Sequence, residues 1–214
     1  MIALRALGAL LTYPRPELLA ALEEIGAAIA GAECLGRDHK ARLAELVGEL
    51  GASNPLELEE RYVALFERGR ARSLHLFEHV HGDSRERGRA MVDLAQVYER
   101  AGFVLAANEL PDYLPAVLEY LSCRPAGEAR DMLGDCAHIL RAVGEALAAR
   151  GSRYAAVFEA LLAVAGEPGL DWSAAPVPEP HPDEEWMDAP AFGPGSERGT
   201  PAVAPVRFAP RKQG

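Results

Sequence analysis

The sequence pattern with the clearest chemical meaning is His75-x-x-Glu78-His79, in which two imidazoles flank a carboxylate. On a helix, His75 and His79 lie on the same face, so both rings can reach one metal ion. Glu78 is then close enough to act as a general base, as in the inverted zinc proteases, which share this spacing. His138 or Glu145 would have to supply a third ligand, and neither has a motif of its own. The pattern therefore favours histidines that pair with carboxylates or bind a partner, and a metal-dependent hydrolase is the alternative.

Other patterns that indicate catalysis or cofactor binding are missing from the sequence. The three cysteines, Cys34, Cys123 and Cys136, have no C-x-x-C spacing, which argues against a disulfide framework or a thiolate metal site. No G-x-x-x-x-G-K-[ST] phosphate-binding loop is present. We therefore expect no bound cofactor and no metal.

Helices must position these residues, because apolar side chains recur at helical spacing and strand signals are sparse. The recurrence is clearest over residues 91–101, 132–147 and 154–162. Their number and length predict about seven to nine helices with short connections. The fold class that follows is all-α, a single-domain globular helical bundle.

Several residues have the spacing of helix boundaries. Asn54-Pro55 has the form of an N-cap followed by proline at the first helical position, and Pro16 and Pro125 can begin helices in the same way. Asp83 precedes Glu86 by three residues, as in a capping box. Gly151 lies where a helix is expected to end.

The composition of the chain changes near Gly166 and divides it into two predicted regions. Ten of the 16 prolines lie in residues 167–214, together with 8 acidic and 4 basic residues and few aliphatic ones. Such a segment cannot bury enough apolar surface to order itself, so we predict a helical domain over 1–166 and a Pro-rich, largely disordered tail over 167–214. Four apolar islands of the tail can still dock on the chain or a partner: Trp172, Trp186-Met187, Phe192 and Phe208.

The charge and hydropathy of the chain exclude some classes of partner. The net charge of −10 leaves no basic surplus to neutralise phosphates, so we expect neither nucleic-acid binding nor direct membrane insertion. No apolar run approaches the roughly 20 residues that span a bilayer. The apolar N-terminus is interrupted by Arg5 and followed by Pro14 and Pro16, unlike a secretory signal. We interpret it as the first helix of a cytoplasmic protein.

One part of the sequence, from Tyr62 to Arg89, resembles the NarJ family, the molybdenum cofactor assembly chaperones of respiratory nitrate reductase. The matching stretches are Arg61-Tyr62-Val63 through Phe66, Ser73-Leu-His-Leu-Phe-Glu-His-Val-His-Gly82, Ser84-Arg-Glu-Arg-Gly-Arg-Ala-Met91, Glu109-Leu-Pro-Asp-Tyr-Leu-Pro115 and Leu118-Glu-Tyr-Leu121. Leu11-Thr-Tyr-Pro14 and the tail stretch 184–192 extend the resemblance. Glu67 stands where the family pattern has an aspartate, which keeps the charge.

The resemblance implies a dedicated cytoplasmic chaperone and not an enzyme. Such a chaperone binds the N-terminal segment of the apo catalytic α subunit and keeps that subunit competent for insertion of the molybdenum cofactor. A structural subunit of an oxidoreductase complex is a further alternative, and it would need a large, permanent apolar interface.

The resemblance also implies which residues bind the client peptide. Glu78 is expected to meet an arginine of the client, and Phe66 and Phe77 to line a groove. From its residues alone, the stretch Glu109-Leu-Pro-Asp-Tyr113 is expected to begin a helix, with Pro111 and Asp112 in the first turn, or else to form a rim. An aromatic residue at helical spacing is more often part of a core than of a binding surface. The complete candidate set is Tyr62, Phe66, Glu67, His75, Phe77, Glu78, His79, His81, Arg87, Asp112 and Tyr113.

Overall fold

The computed structural model describes residues 1–82, 84–106 and 109–172, and over these ranges the predicted all-α fold is confirmed. The only paired extended backbone in the described ranges is one bridge between His75 and Tyr113. The helices there are α1 (Ile2–Leu10), α2 (Pro16–Ala20), α3 (Leu22–Ala30), α4 (Arg37–Ala52), α5 (Pro55–Tyr62), α6 (Leu76–His81), α7 (Arg85–Arg100), α8 (Leu114–Ser122), α9 (Ala126–Asp135), α10 (Ala137–Ala148) and α11 (Ala155–Ala165). A π-turn (Val63–Glu67) continues α5, and a 3₁₀ turn (Arg70–Arg72) follows it.

Local capping signals place the start of α5 where it was predicted. Asn54 Oδ1 accepts a hydrogen bond of 2.9 Å from the backbone N–H of Leu56, and Pro55 occupies the first helical position. This bond satisfies one of the amide groups that lack an intrahelical partner at a helix start. Pro16 likewise begins α2.

The apolar recurrence over residues 132–147 spans two helices, because the chain breaks at Cys136. Cys136 ends α9 and begins α10, and its buried thiol lies 3.4 Å from the carbonyl oxygen of Leu133. A second break, at Ala21, separates α2 from α3. These breaks raise the helix count of the described ranges above the predicted number, since periodicity survives a short break that keeps the same face inward.

Helix α11 lies at the centre of the fold and packs against α1, α4, α9 and α10. Ten of its 11 residues are buried, including the carboxylate-bearing Glu159. Helices α1 and α8 approach each other closely at Gly8, where a Cβ atom would lie 3.2 Å from Leu118 Cβ. All buried apolar residues of the described ranges except Ala116 and Ala149 belong to one hydrophobic cluster.

Residues 167–172, which we call the strap, pack back onto the bundle after α11 ends at Gly166. Gly166 adopts a left-handed conformation (φ 80°), which reverses the chain direction. The Arg141 guanidinium then donates a 2.7 Å hydrogen bond to the Gly169 carbonyl, and the buried Leu170 side chain lies against Gly144. The strap is thus held on the surface formed by α10 and α11.

The end of the strap is fixed by a cluster of three side chains. Trp172 donates its indole N–H to Glu159 Oε1 at 2.7 Å, and Arg42 donates to both oxygens of the same carboxylate at 2.8 and 2.7 Å. The Arg42 guanidinium also lies 4.3 Å from the centroid of the Trp172 ring, a cation–π contact. Of the predicted docking islands, Trp172 therefore contacts the bundle. Trp186-Met187, Phe192, Phe208, the rest of the tail and the predicted capping residue Asp83 lie outside the described residues.

Among the described residues, no helix has both the length and the apolar composition that crossing a bilayer requires.

We expect Gly144→Ala to destabilise the protein, because the new methyl group would lie 2.9 Å from both Leu170 methyl carbons and from Phe158 Cβ. The free energy of unfolding should fall by about 1–3 kcal/mol, as is usual for overpacking. The matched control is Gly134→Ala in α9, where a Cβ meets nothing within 4 Å. That variant should be neutral or up to about 1 kcal/mol more stable. Urea unfolding followed by circular dichroism distinguishes the two, and equal effects would contradict the packing of the strap on Gly144.

Candidate functional site

A cavity of about 490 Å³ opens where the ends of α1, α5, α6 and α8 come together. Its size lies within the range of ligand pockets, about 300–1,000 Å³, which accept one or a few side chains of a peptide. Aromatic rings, two carboxylates and one guanidinium line it. The lining residues, which we call the pocket, are Tyr13, Tyr62, Phe66, Glu67, Gly69, Arg70, Ser73, Leu74, His75, Glu78, Gly82 and Tyr113.

The π-turn Val63–Glu67 carries two of these residues, Phe66 and Glu67, and the buried Arg72 holds it in place. The turn is closed by a hydrogen bond of 3.1 Å from Arg68 N–H to the Val63 carbonyl, five residues back. Arg72 Nε donates to the Leu65 carbonyl at 2.8 Å, and Arg72 Nη2 donates to the Arg68 carbonyl at 2.8 Å. These bonds satisfy carbonyls on both sides of Phe66 and Glu67 that the irregular turn leaves without helical partners.

A row of aromatic rings forms one wall of the pocket. The ring centroids of Tyr13 and Tyr62 are 5.4 Å apart, those of Tyr62 and Phe66 5.0 Å, and those of Phe66 and Tyr154 5.1 Å. Edge-on and tilted contacts at these distances are the favoured geometries for aromatic pairs. The wall is therefore continuous with the core, since Tyr154 immediately precedes α11.

Two tyrosine hydroxyls meet at the base of the pocket. Tyr62 donates its O–H to the Leu11 carbonyl at 2.8 Å, and its oxygen lies 3.3 Å from that of Tyr113. Because Tyr62 has only one hydroxyl hydrogen, Tyr113 must be the donor between the two. The Tyr113 oxygen then keeps its lone pairs available as an acceptor. Burial raises the pKa of Tyr62 well above its usual range and also raises the pKa of Tyr113, so both remain neutral.

Glu67 is exposed at the end of the π-turn and has no ion-pair partner within the described part of the chain. Its negative charge adds to the effect of burial in raising the pKa values of Tyr13, Tyr62 and Tyr113. The carboxylate therefore lies within electrostatic range of three pocket hydroxyls. A negative charge beside aromatic faces is a setting that attracts a cation.

Glu78, the other pocket carboxylate, is already paired. Its Oε1 accepts a 3.1 Å hydrogen bond from Arg87, and its backbone carbonyl accepts one of 2.9 Å from Arg70 Nε. Partial burial alone would raise the pKa of Glu78, but the hydrogen bond from Ser73 and the positive charge of Arg87 outweigh burial and lower it. Gly82, with φ of 54°, leaves room for the Arg70 guanidinium, which would lie 2.6 Å from a Cβ atom there.

The buried carboxylate of Asp112 joins the two loops that flank the pocket. Its Oδ2 accepts the backbone N–H of Phe77 at 3.1 Å, and its Oδ1 lies 3.2 Å from His75 Nδ1, which donates to it. The Asp112 carbonyl accepts the N–H of Leu76 at 3.0 Å. Asp112 has no exposed surface. The prediction that Asp112 serves the first turn of a helix is wrong, because α8 begins only at Leu114 and the carboxylate bonds to the other loop instead.

Six of the 11 residues predicted for the site line the pocket, and the other five lie outside its lining. Tyr62, Phe66, Glu67, His75, Glu78 and Tyr113 line the pocket. Of the five outside the lining, Phe77 lies in the core, and Asp112 and Arg87 bond to residues of the surrounding loops. His79 bonds to the Ser73 carbonyl at 2.9 Å, and the ring centroid of His81 lies 5.8 Å from that of Phe77.

Sequence reasoning missed Tyr13, Gly69, Arg70, Ser73, Leu74 and Gly82. The stretch Leu11-Thr-Tyr-Pro14 was a signal for Tyr13, since it belongs to the family resemblance. For Arg70 and Gly82 no signal existed, because their proximity arises only when the 3₁₀ turn packs against the end of α6.

The geometry that the alternative interpretation, a metal-dependent hydrolase, requires of His75, Glu78 and His79 does not form. His75 precedes α6 in an extended conformation, so it is not one helical turn from His79. Each of the two imidazoles has a ring nitrogen bound to a protein oxygen, that of Asp112 or of Ser73. Over residues 1–82, 84–106 and 109–172, no group of three or more His, Cys, Asp or Glu side chains is placed to hold a metal ion.

We expect Asp112→Asn to lower the free energy of unfolding by about 1.5–3 kcal/mol. The amide has the same shape as the carboxylate, but it lacks the negative charge that accepts hydrogen bonds from His75 Nδ1 and from the backbone N–H of Phe77. Asp93→Asn, on the exposed face of α7, is the matched control and should change the free energy of unfolding by less than about 0.5 kcal/mol. Urea titrations of both variants provide the measurement. An equal and small effect would show that the carboxylate does not hold the loops together.

We expect His79 to make the fold sensitive to acid. Burial lowers the pKa of His79 below its usual value, and the hydrogen bond to the Ser73 carbonyl offsets this only in part. The unfolded chain then binds the proton more readily, so stability falls as the pH drops through the unfolded pKa of about 6.5, by at most about 1.4 kcal/mol per pH unit. Thermal unfolding between pH 7.5 and 5.5 should show a smaller loss of Tm for His79→Gln than for the wild type. Parallel pH curves would contradict this role.

Comparison with known proteins gives consistent matches over most of the chain. The chain is 45% identical over 165 residues to the nitrate reductase molybdenum cofactor assembly chaperone NarJ of Escherichia coli strain K12, covering 77% of this chain and 70% of that protein. It is 41% identical over 166 residues to the probable assembly chaperone NarW of the same strain, covering 78% and 69%. It is 32% identical over 162 residues to the probable assembly chaperone NarJ of Bacillus subtilis strain 168, covering 76% and 87%.

A model of the protein family described as nitrate reductase delta subunit matches residues 32–160. The matched range contains every pocket residue except Tyr13. With this match and the similarity to the three relatives, the chain belongs to the nitrate reductase delta subunit family.

Proposed function

We propose that this protein is a cytoplasmic chaperone that binds the N-terminal segment of the apo catalytic subunit of a respiratory nitrate reductase. It keeps the subunit competent for insertion of the molybdenum cofactor and leaves during assembly. The names of the relatives, which are those of molybdenum cofactor assembly chaperones, support the chaperone role. The family is one of assembly chaperones and not of enzymes, which agrees with the expectation from sequence.

The observation that carries the peptide-binding part of the proposal is the exposed carboxylate of Glu67, which has no ion-pair partner among the described residues and lies beside aromatic faces and neutral hydroxyls. A basic side chain of the client can place its cation against Glu67 and over the half-buried ring of Tyr13. The Tyr113 oxygen can accept a hydrogen bond from the same cation. The volume of the pocket, about 490 Å³, suits such a side chain and an apolar neighbour.

Between the two pocket carboxylates, Glu67 is the better partner for a client cation. Glu78 already accepts from Arg87, so a client arginine would have to displace that guanidinium. Glu67 has no such competitor among the described residues. The role first assigned to Glu78 therefore passes to Glu67, while Glu78 orders the far wall.

The expected affinity of the pocket alone is modest. Three apolar anchors of an amphipathic peptide contribute roughly 5–9 kcal/mol gross, and ordering the peptide costs about 2–5 kcal/mol. Charge pairing at Glu67 adds at most about 1 kcal/mol because the group is exposed. Weak and reversible binding is consistent with a partner that must leave.

We expect a synthetic peptide of the catalytic subunit's N-terminus to bind the full chain saturably in a calorimetric titration. Glu67→Gln should weaken this binding about 2- to 5-fold, equivalent to about 0.4–1 kcal/mol, and the difference should shrink at high salt. The matched control is Glu60→Gln, an exposed carboxylate of α5 that does not line the pocket. It should leave the affinity nearly unchanged.

Three outcomes would count against parts of this proposal. Absence of saturable binding to the wild type would refute recognition of the N-terminal segment. Equal losses for Glu67→Gln and Glu60→Gln would refute the assignment to Glu67. Stoichiometric presence of this chain in the purified mature reductase would support the structural-subunit alternative instead.

A further inference from the structure

We propose that residues 206–212 of this same chain, Val-Arg-Phe-Ala-Pro-Arg-Lys, occupy the pocket in the absence of client and compete with it. We call these residues the basic segment. The inference rests on the proposed function, because it takes the pocket to be the client site. It assigns the chain a built-in competitor that keeps the aromatic faces covered until a client arrives.

The strap determines where the chain leaves the bundle and in which direction. Gly169 lies at Arg141 of α10 and Leu170 at Gly144, so the strap advances toward the C-terminal end of α10. It ends at Trp172, which is bonded to Glu159 of α11. The strap therefore runs from the C-terminal end of α11 at Gly166 back to Glu159, in the direction of the N-terminal end of α11, where Tyr154 contacts Phe66 of the pocket.

The remaining chain is long enough to reach the pocket. Glu159 is five residues from Tyr154, about 7.5 Å along α11, and the Tyr154 and Phe66 centroids are 5.1 Å apart. A chain of 33 residues, the number between Trp172 and the basic segment, can extend to at most roughly 110–120 Å, so its length does not prevent the basic segment from reaching the pocket. A tether of this kind gives an effective concentration on the order of 1 mM, so even a weak contact is populated.

The acidic and basic residues of 173–214 are separated along the sequence, which makes the basic segment the best match to the charge of the pocket. Residues 173–197 contain six acidic and no basic residues, whereas 198–214 contain four basic and no acidic residues. The basic segment has Arg207, Arg211 and Lys212 around Phe208. This combination of cations and an aromatic ring matches the exposed carboxylate of Glu67 and the aromatic wall, and the acidic stretch is repelled by the same carboxylate.

Lysine is rare enough in this protein for a direct test by cross-linking. Its two lysines are Lys40 and Lys212, and the Lys40 ammonium donates to the Ala30 carbonyl. A zero-length carbodiimide reagent applied to the dilute full chain should join Lys212 to Glu67, as read by peptide mass spectrometry. The link should disappear in Glu67→Gln and persist in Glu60→Gln. Linkage of Lys212 only to acidic residues outside the pocket would overturn the proposal, and so would links found only between ¹⁴N- and ¹⁵N-labelled copies of the chain.

Competition with the client provides a second, independent readout. Neutralising Arg207, Arg211 and Lys212 to glutamine should tighten binding of the synthetic N-terminal peptide about 2- to 10-fold, as expected for a tethered competitor with an intrinsic Kd of about 0.1–1 mM. Neutralising three exposed arginines elsewhere, Arg5, Arg85 and Arg89, makes the same change in net charge and is the matched control. Equal tightening in both triple variants would overturn the proposal, because it would reflect net charge alone.

The two proposals fail in different ways. If the synthetic peptide binds neither the wild type nor the triple variant, the proposed client fails, while the cross-link from Lys212 still tests the basic segment. If the peptide binds but the cross-link is missing and the triple variant binds no tighter, only the competition by the basic segment fails.

Discussion

The pocket depends on side chains that satisfy backbone groups where the chain leaves regular helical geometry. Between the end of α5 and the start of α6, the turns leave carbonyls and amides without helical partners. Arg72 donates to the carbonyls around the π-turn, and Asp112 accepts the amide of Phe77. An unsatisfied buried backbone group costs about as much as a lost hydrogen bond, so these two charged residues are what make an irregular, open site stable inside a helical protein.

Because of these irregular turns, the two carboxylates of the pocket have different roles: Glu78 stabilises the pocket, and Glu67 is exposed to a partner. Glu78 lies in the first turn of α6, and its carboxylate accepts a hydrogen bond from Arg87. This ion pair links α6 to α7 beside the pocket. Glu67 lies at the end of the π-turn, where the chain turns outward and the side chain meets solvent. An exposed charge is weakly coupled to its surroundings and strongly screened by salt, which suits reversible contact with a partner.

The match to the family covers α5, α6 and α8, which build most of the pocket, whereas α1 and the strap lie outside the matched residues. The strap is nevertheless part of the bundle, because Leu170 fills the space over Gly144 and Trp172 completes the contacts of the buried Glu159 carboxylate. A composition change near Gly166 thus marks the end of the last helix and not the end of packing. The Pro-rich character predicted for residues 167–214 does not prevent the first six of them from docking.

Local sequence determined the helices of this protein, and only the tertiary structure decided the site. Apolar periodicity predicted an all-α fold, and the N-cap Asn54 and the first-turn proline Pro16 predicted helix starts, because these signals arise from residues within one or two turns of each other. His75 was read as part of a helix, but its ring bonds to Asp112, 37 positions away, and that contact holds it in front of α6 instead. Tyr62 likewise meets Leu11 and Tyr113, each 51 positions distant. Contacts between residues so far apart in sequence depend on how the helices pack, and the local spacing of residue types does not predict them.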